Sequence, residues 1–259
     1  MNHNHSYVPE SAMAIYAHPD DIEFSCAGTL ARWAKEGARI SYVVCTSGQG
    51  GIRRPSISWE EAGRIRESEQ RKAAEIAGAQ EVVFLGEVDG MLTPTLELRK
   101  KIVRELRRFR PEVVVTGDPT VVWAGEDYIN HPDHRAAAQA ALDAVFPASG
   151  QPNVFEELEK EGLTAHKIRK VFVSSFSEGD YYVNIEDTID TKVAALRAHE
   201  SQMEEMKELG SWDGAERIRE WAAANGKGKE MEFAEVFRVI TLENDDWWEK
   251  HKGRVVPEA

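Results

Sequence analysis

AMAIYAHPDDIEFSCAGTLARWAKEGARISYVVC, residues 12–45, decides the fold. Its first six residues, Ala12 to Ala17, are an unbroken apolar run of strand length, and residues 39–45 form a second run rich in Val, Ile and Tyr. Between them a helical pattern from about Phe24 to Glu36 ends at Gly37, which suits the C′ position that closes a helix. Strand, helix, strand is the opening of a parallel sheet, because parallel neighbours need a long crossover and a helix provides it.

The same alternation continues outward. Residues 58–78 read as a charged amphipathic helix closed by Gly78, Val82 to Leu85 as a third strand, residues 94–109 as a helix starting at Pro94, and Val113 to Thr116 as a fourth strand. A strand at Lys170–Ser175, a helix at about 188–207, a Trp-bearing helix at 212–224 and a strand at Ala234–Leu242 follow, with Asn225 to Lys229 as a loop. The expected class is α/β: a Rossmann-like, mostly parallel sheet with helices on both faces and a C-terminal helical and strand extension. One domain is expected over residues 1–259, with tails at 1–10 and 243–259.

A net charge of −13 argues against nucleic acid and anionic membrane surfaces as partners, since both call for a basic footprint. A neutral small molecule fits better. No stretch approaches the roughly 18 apolar residues of a membrane span, and Met1 to Ser6 lacks the basic and apolar regions of a signal peptide, so the expected compartment is the cytoplasm. The two cysteines, Cys26 and Cys45, have no metal or redox spacing and read as buried free thiols.

Two clusters carry the chemistry. His18-Pro19-Asp20-Asp21 follows the first strand and His131-Pro132-Asp133-His134 opens a helix-like run, so both sit at the edge where open α/β sheets bind ligands. A lone His-Pro-Asp reads as a turn or helix cap; two of them at separate strand exits point to metal binding. A catalytic zinc needs three protein ligands and an open position, which His18, Asp21 and His134 supply, and ferrous iron accepts the same set. Pro132 suits the first helical position, leaving His131 at the cap and Asp133 and His134 on the first turn.

Asp20, next to a ligand but not needed as one, is the expected general base for the water that the metal acidifies. His131 is the expected general acid, with Asp133 orienting its imidazole. His199 is assigned to stabilising the oxyanion on the amide carbonyl, although a histidine on a helix reads by default as buried and satisfied by a neighbour. Arg66 lies in a helix dense in charge, where the default is a solvated ion-paired face. Trp123, just ahead of the second cluster, is the tryptophan placed near the site as a stacking surface for substrate; Trp33, Trp212, Trp221, Trp247 and Trp248 are assigned to core or subunit packing. The loop Thr46 to Gly51 lacks the spacing of a dinucleotide fingerprint and reads as a flexible rim.

Taken in order over roughly residues 12–240, these motifs resemble the PIG-L/LmbE-like zinc-dependent de-N-acetylases. The resemblance rests on Ala17 to Asp21 with Cys26-Ala27-Gly28-Thr29, on His131 to His134, on Arg66 and Glu69, and on Ala198-His199-Glu200-Ser201-Gln202. It implies one zinc per chain on His18, Asp21 and His134, Asp20 as base, His131 with Asp133 as assisting pair, and Arg66 as a substrate contact. It also implies hydrolysis of the acetamide of N-acetylglucosamine-type sugars and assembly as a homo-oligomer, trimer or hexamer. The family's usual Asp-Asp-Glu is here Asp20-Asp21-Ile22-Glu23, a shift some members share, so Glu23 carries no assigned role. Two alternatives stand beside this reading: an amidase acting on a larger thiol-sugar conjugate, and a non-catalytic Rossmann-like nucleotide- or metal-binding module.

Overall fold

The structure is a computed structural model that describes residues 7–126, 128–174, 179–208 and 213–252. In chain order its elements are β1 (Ser11–Tyr16), α1 (Asp21–Ser25), α2 (Ala27–Lys35), β2 (Arg39–Thr46), α3 (Trp59–Ile76), β3 (Glu81–Glu87), α4 (Leu96–Phe109), β4 (Val113–Gly117), β5 (Trp123–Ala124) and β6 (Tyr128–Ile129). They continue as α5 (Pro132–Val145), α6 (Glu156–Lys160), β7 (Lys170–Ser174), β8 (Tyr181–Asn184), α7 (Ile189–Arg197), α8 (Glu200–Glu208), α9 (Gly214–Gly226), β9 (Ala234–Thr241) and α10 (Asp245–His251).

The main sheet runs β3-β2-β1-β4-β7-β9-β8. Its first five strands are parallel, and β9 and β8 close one edge in antiparallel fashion. This is the Rossmann-like α/β sheet and C-terminal extension that the sequence predicts. Strand order reverses between β1 and β4, which opens the crevice at their carboxyl ends. Both β1 and β4 are almost wholly buried, as parallel strands covered on two faces must be. One face packs Trp33, Tyr42, Phe172 and Phe237; the other packs Leu98, Ile102, Leu106 and the alanine face of α5. Small side chains at Ala136, Ala137, Ala140, Ala141 and Ala144 bring α5 close to the sheet and so set the depth of its first turn.

Several boundaries differ from the sequence reading. The expected helix from Phe24 starts earlier, as α1 and α2 separated at Cys26, and Gly37 follows with the expected positive φ of 101°. Pro94 lies outside α4, because the Thr95 hydroxyl accepts from the Leu98 N–H and takes the cap. The helix expected over 188–207 is two helices: His199 turns inward to Glu23, and Glu69 holds the Ser201 N–H and hydroxyl at the start of α8. Neither end is a loose tail where described. Tyr7 stacks on Phe172 and donates to Glu112, and residues 245–251 form α10, capped by Asn244. Trp212 and Ser175 lie outside the described residues. No helix among the described residues is long and apolar enough to cross a membrane, and both cysteines are free and buried.

One buried ion pair ties the antiparallel edge to the front of the sheet. Glu235 of β9 accepts from the Gly28 and Thr29 N–H groups in the first turn of α2, at 3.0 and 2.7 Å, and pairs with Lys192 of α7. Among the described residues the Lys192 ammonium has one further partner, the Phe24 carbonyl at 3.1 Å. Losing either charge strands the other, at a cost of about 3–5 kcal/mol in comparable buried pairs. The two losses are unequal here, since the carboxylate keeps two N–H donors and a helix N-terminus while the ammonium keeps one carbonyl. In urea unfolding, Glu235→Leu is therefore expected to destabilise the protein more than Lys192→Met; the reverse order would contradict this account of the pair.

Candidate active site

A cavity of about 1010 Å³ opens at the crevice outside β1 and β4. Its walls include His18, Asp20 and Asp21 from the β1 exit, Gly50, Arg53, Trp59 and Arg66 from the β2–α3 region, Asp89 after β3, and Asp118 after β4. His131 and His134 come from the cap and first turn of α5, and Gln202, Met206 and Trp221 from α8 and α9. Pro132 opens α5 as expected, with the His131 Nδ1 accepting the Asp133 N–H at 3.2 Å as a side-chain cap.

The two motifs meet through Asp21. One of its oxygens lies 3.1 Å from His134 Nε2; the other lies 3.5 Å from His18 Nδ1 and accepts the His18 N–H at 2.8 Å. Two ligands of a tetrahedral ion bound at about 2.0–2.1 Å stand roughly 3.3 Å apart, so both separations suit a shared cation. The far nitrogens are engaged as ligand imidazoles require. His18 Nε2 faces Asp89 at 3.0 Å and Asp133 at 3.2 Å, and His134 Nδ1 meets the Asn130 Oδ1 at 3.0 Å. The sets whose ligand atoms all lie within 4.8 Å of one another are His18, His131 and His134, and His18, Asp89 and Asp133, whereas Asp21 meets His18 and His134 through different oxygens. The chemistry nevertheless favours Asp21 as the third donor, because His131 Nδ1 is occupied by a backbone N–H and because Asp89 and Asp133 approach the nitrogen of His18 opposite Asp21.

Charge follows the same arrangement. Burial opposes a proton on His18, but the charge of Asp21 and the bonds to Asp133, Asp21 and Asp89 outweigh it and push its pKa up to about 12. Burial likewise works against ionised Asp21, yet His134 and then His18 hold its carboxyl well below the usual range. A site that keeps an extra proton at neutral pH is a site of negative potential, which suits a dication in that proton's place. His131 differs: burial and then the charge of His18 lower its pKa, leaving it a neutral imidazole whose proton sits on Nε2, because Nδ1 is accepting.

Asp20 sits beside this group in a buried pocket. Its Oδ2 accepts from the Arg66 guanidinium at 2.9 Å, and burial raises its carboxyl above the ordinary value against the pull of Arg66 and then His199. Arg66 also donates to the Pro19 carbonyl at 2.5 Å and the Gly48 carbonyl at 2.7 Å. It is buried, so the solvated-face default for its helix fails at this position.

The structure thus brings together His18, Asp20, Asp21, Arg66, His131, Asp133 and His134, but three expectations change. Asp133 is not chiefly a partner of the His131 ring: its nearer oxygen is 3.9 Å from His131 Nδ1, while its carboxylate accepts from Gly90 N at 2.7 Å, Leu92 N at 3.1 Å and faces His18. His199 is fully buried and outside the cavity wall, held by Glu23 at 3.2 Å, which puts a direct oxyanion contact out of reach. Trp123 is 72% exposed on the short β5–β6 hairpin and is absent from the lining, where Trp59 and Trp221 stand instead. Asp89 is the main residue that sequence reasoning missed. Its only signal is a carboxylate before Gly90 at the exit of β3, the same sheet edge.

Comparison with known proteins agrees with this geometry. Residues 13–145 match the family described as PIG-L, GlcNAc-PI de-N-acetylase. The diacetylchitobiose deacetylase of Thermococcus kodakarensis is 32% identical over 232 residues, covering 89% of this chain and 83% of that protein. The 1D-myo-inositol 2-acetamido-2-deoxy-alpha-D-glucopyranoside deacetylase 1 of Saccharopolyspora erythraea is 26% identical, covering 90% of each. Among solved structures, N,N'-diacetylchitobiose deacetylase from Pyrococcus horikoshii, complexed with an inhibitor, superposes with a TM-score of 0.80 at 26% identity over 90% of this chain and 84% of that one.

The β2–α3 loop is shaped around Arg66. A Cβ on Gly48, whose φ is +62°, would stand 2.3 Å from Arg66 Nη1 and 2.9 Å from Pro19 Cδ. Gly37 has a φ of +101° and nothing within 4 Å of its Cβ position. Replacing Gly37 by Ala should cost only backbone strain, roughly 1–2 kcal/mol. Gly48→Ala should cost more in thermal or denaturant unfolding, and a crystal structure of that variant should find Arg66 displaced from Asp20. Equal losses at the two positions, with Arg66 unmoved, would contradict the packing role given to Gly48.

Proposed function

The chain belongs to the PIG-L, or GlcNAc-PI de-N-acetylase, family, and on that premise we propose that it is a metal-dependent hydrolase that removes the acetyl group from an N-acetylglucosamine-type sugar. The observation that carries this reading is the meeting of His18, Asp21 and His134 beside Asp20 at the wall of one cavity. Zinc is the proposed ion, with ferrous iron compatible with the same donors. Held by His18, Asp21 and His134, it would supply Lewis acidity, polarising the amide carbonyl and lowering the pKa of the attacking water.

The protein's own groups divide the remaining work. Asp20 takes the proton of the attacking water, and its burial favours that role by making the carboxylate a stronger base. Arg66 holds Asp20 and the Pro19 and Gly48 carbonyls in place. His131 turns its Nε2–H, fixed by the acceptor role of Nδ1, to hydrogen-bond the departing nitrogen, while the proton that this nitrogen takes up is the one Asp20 removed from the water. Asp133 and Asp89 fix the ring of His18 from its far side. Trp59 and Trp221 offer aromatic faces for the sugar.

A homo-oligomer is part of the same proposal. Trp123 and Ile129, both exposed and paired across the β5–β6 hairpin, support it, and Trp123 takes a packing role in place of a substrate contact. The buried free thiols of Cys26 and Cys45 fit the reducing cytoplasm.

Acetate release from N-acetylglucosamine and from diacetylchitobiose, set against release of a bulkier acyl group from the same amine, tests the substrate class. Acetate should be released and the larger acid should not; the opposite preference favours an amidase on larger conjugates. Asp20→Asn should keep its metal while turnover falls by about 10²-fold or more, the usual scale for losing a general base. Undiminished turnover would remove Asp20 from the mechanism.

A further inference from the structure

Asp20 carries an unusual backbone. Its φ of 93° places a non-glycine residue in the left-handed region at the cap of α1, a conformation that persists only where surrounding contacts over-determine it. Arg66 supplies two of those contacts, to the Pro19 carbonyl and to the Asp20 carboxylate. The third comes from Gln70, whose Oε1 accepts the Asp20 N–H at 3.0 Å.

Gln70 is fully buried and lies one helical turn beyond Arg66 on α3, so one face of that helix presents both side chains to the β1–α1 corner. The orientation of its amide is fixed from behind. Its Nε2 donates to both oxygens of Glu23, at 3.0 and 3.2 Å, and Glu23 also accepts from His199 Nε2 at 3.2 Å. Glu23 and His199 are both fully buried. The Asp20 N–H needs an acceptor and Glu23 needs a donor, and the carboxamide of Gln70 serves both neighbours at once. This gives Glu23 and His199 a place: His199 donates to Glu23, Glu23 orients Gln70, and Gln70 holds the Asp20 backbone.

We propose that Gln70, backed by Glu23 and His199, is a positioning residue that keeps Asp20 in its left-handed conformation and so aims its carboxylate at the attacking water. The proposal rests on Asp20 being the base. Gln70 touches neither the cavity nor the groups that would hold the metal, so its loss should slow the chemical step without weakening substrate or metal binding.

The test compares Gln70→Met with the wild type and with Asp20→Asn, measuring kcat and KM for acetate release from diacetylchitobiose and metal content per chain. For Gln70→Met, kcat should fall at least tenfold while KM stays within twofold and metal content is unchanged. A kcat within twofold of wild type overturns the proposal, as does a joint collapse of kcat, KM and metal content, which would mark Gln70 as a packing residue. If Gln70→Met does not fold, Gln70→Asn takes the same measurements with the same criteria, since it withdraws the acceptor by one methylene and keeps the amide. Full activity in Asp20→Asn would instead defeat the assignment of the base, and that result is separable from anything Gln70 does.

Discussion

The carboxylate of Asp21 joins two parts of the chain that are otherwise unrelated. One oxygen faces His134 on the first turn of α5 and the other faces His18 at the exit of β1. Three groups of opposing polarity so close together, and largely removed from water, are costly unless each is paired. They are paired throughout: His18 to Asp89 and Asp133 on its far side, His134 to Asn130, and Asp133 to two backbone N–H groups of the loop after β3. The surplus of carboxylates creates a pocket of negative potential, which keeps His18 protonated and would suit the dication proposed for it.

The fold delivers this joint with little irregular chain. β1 and β4 are neighbours in register, Ala12 opposite Val113 and Ile15 opposite Thr116, so their exits lie side by side at the switch point. The alanine face of α5 sits low on the sheet, which lowers His131 and His134 to the height of His18. The antiparallel edge adds its own constraint from the other side, through Glu235 and Lys192, at the start of α2. Chemistry and core are therefore coupled. The residues that aim the site are anchored in the same layers that bury the apolar surface.

The local rules are enough for six of the seven strands of the main sheet, all but β8, and for both His-Asp motifs. Apolar runs of strand length, a glycine at a helix end and a proline at a helix start are local signals, and the contacts that act at those points are local too. Where distant groups decide the outcome, the sequence is silent. Ala198-His199-Glu200 contains no Gly or Pro to break a helix; the break comes from Glu23 and Glu69, which pull on His199 and Ser201 from far along the chain. Asp89 looks like an ordinary Asp-Gly turn until β3 places it against His18. Trp123 is close to the second motif in sequence, but its place on a hairpin of two-residue strands leaves it in solvent, and tryptophans from α3 and α9 line the cavity instead. Proximity along the chain is a poor guide to which face a side chain takes.

The most direct measurement is zinc content after exhaustive dialysis of the wild type and of two single-histidine variants. With His18, Asp21 and His134 as the ligands, the wild type retains about one ion per chain, His134→Ala retains almost none, and His131→Ala retains the ion because its imidazole is spent on the helix cap. An ion that survives in His134→Ala, or that is lost with His131→Ala, would contradict the account.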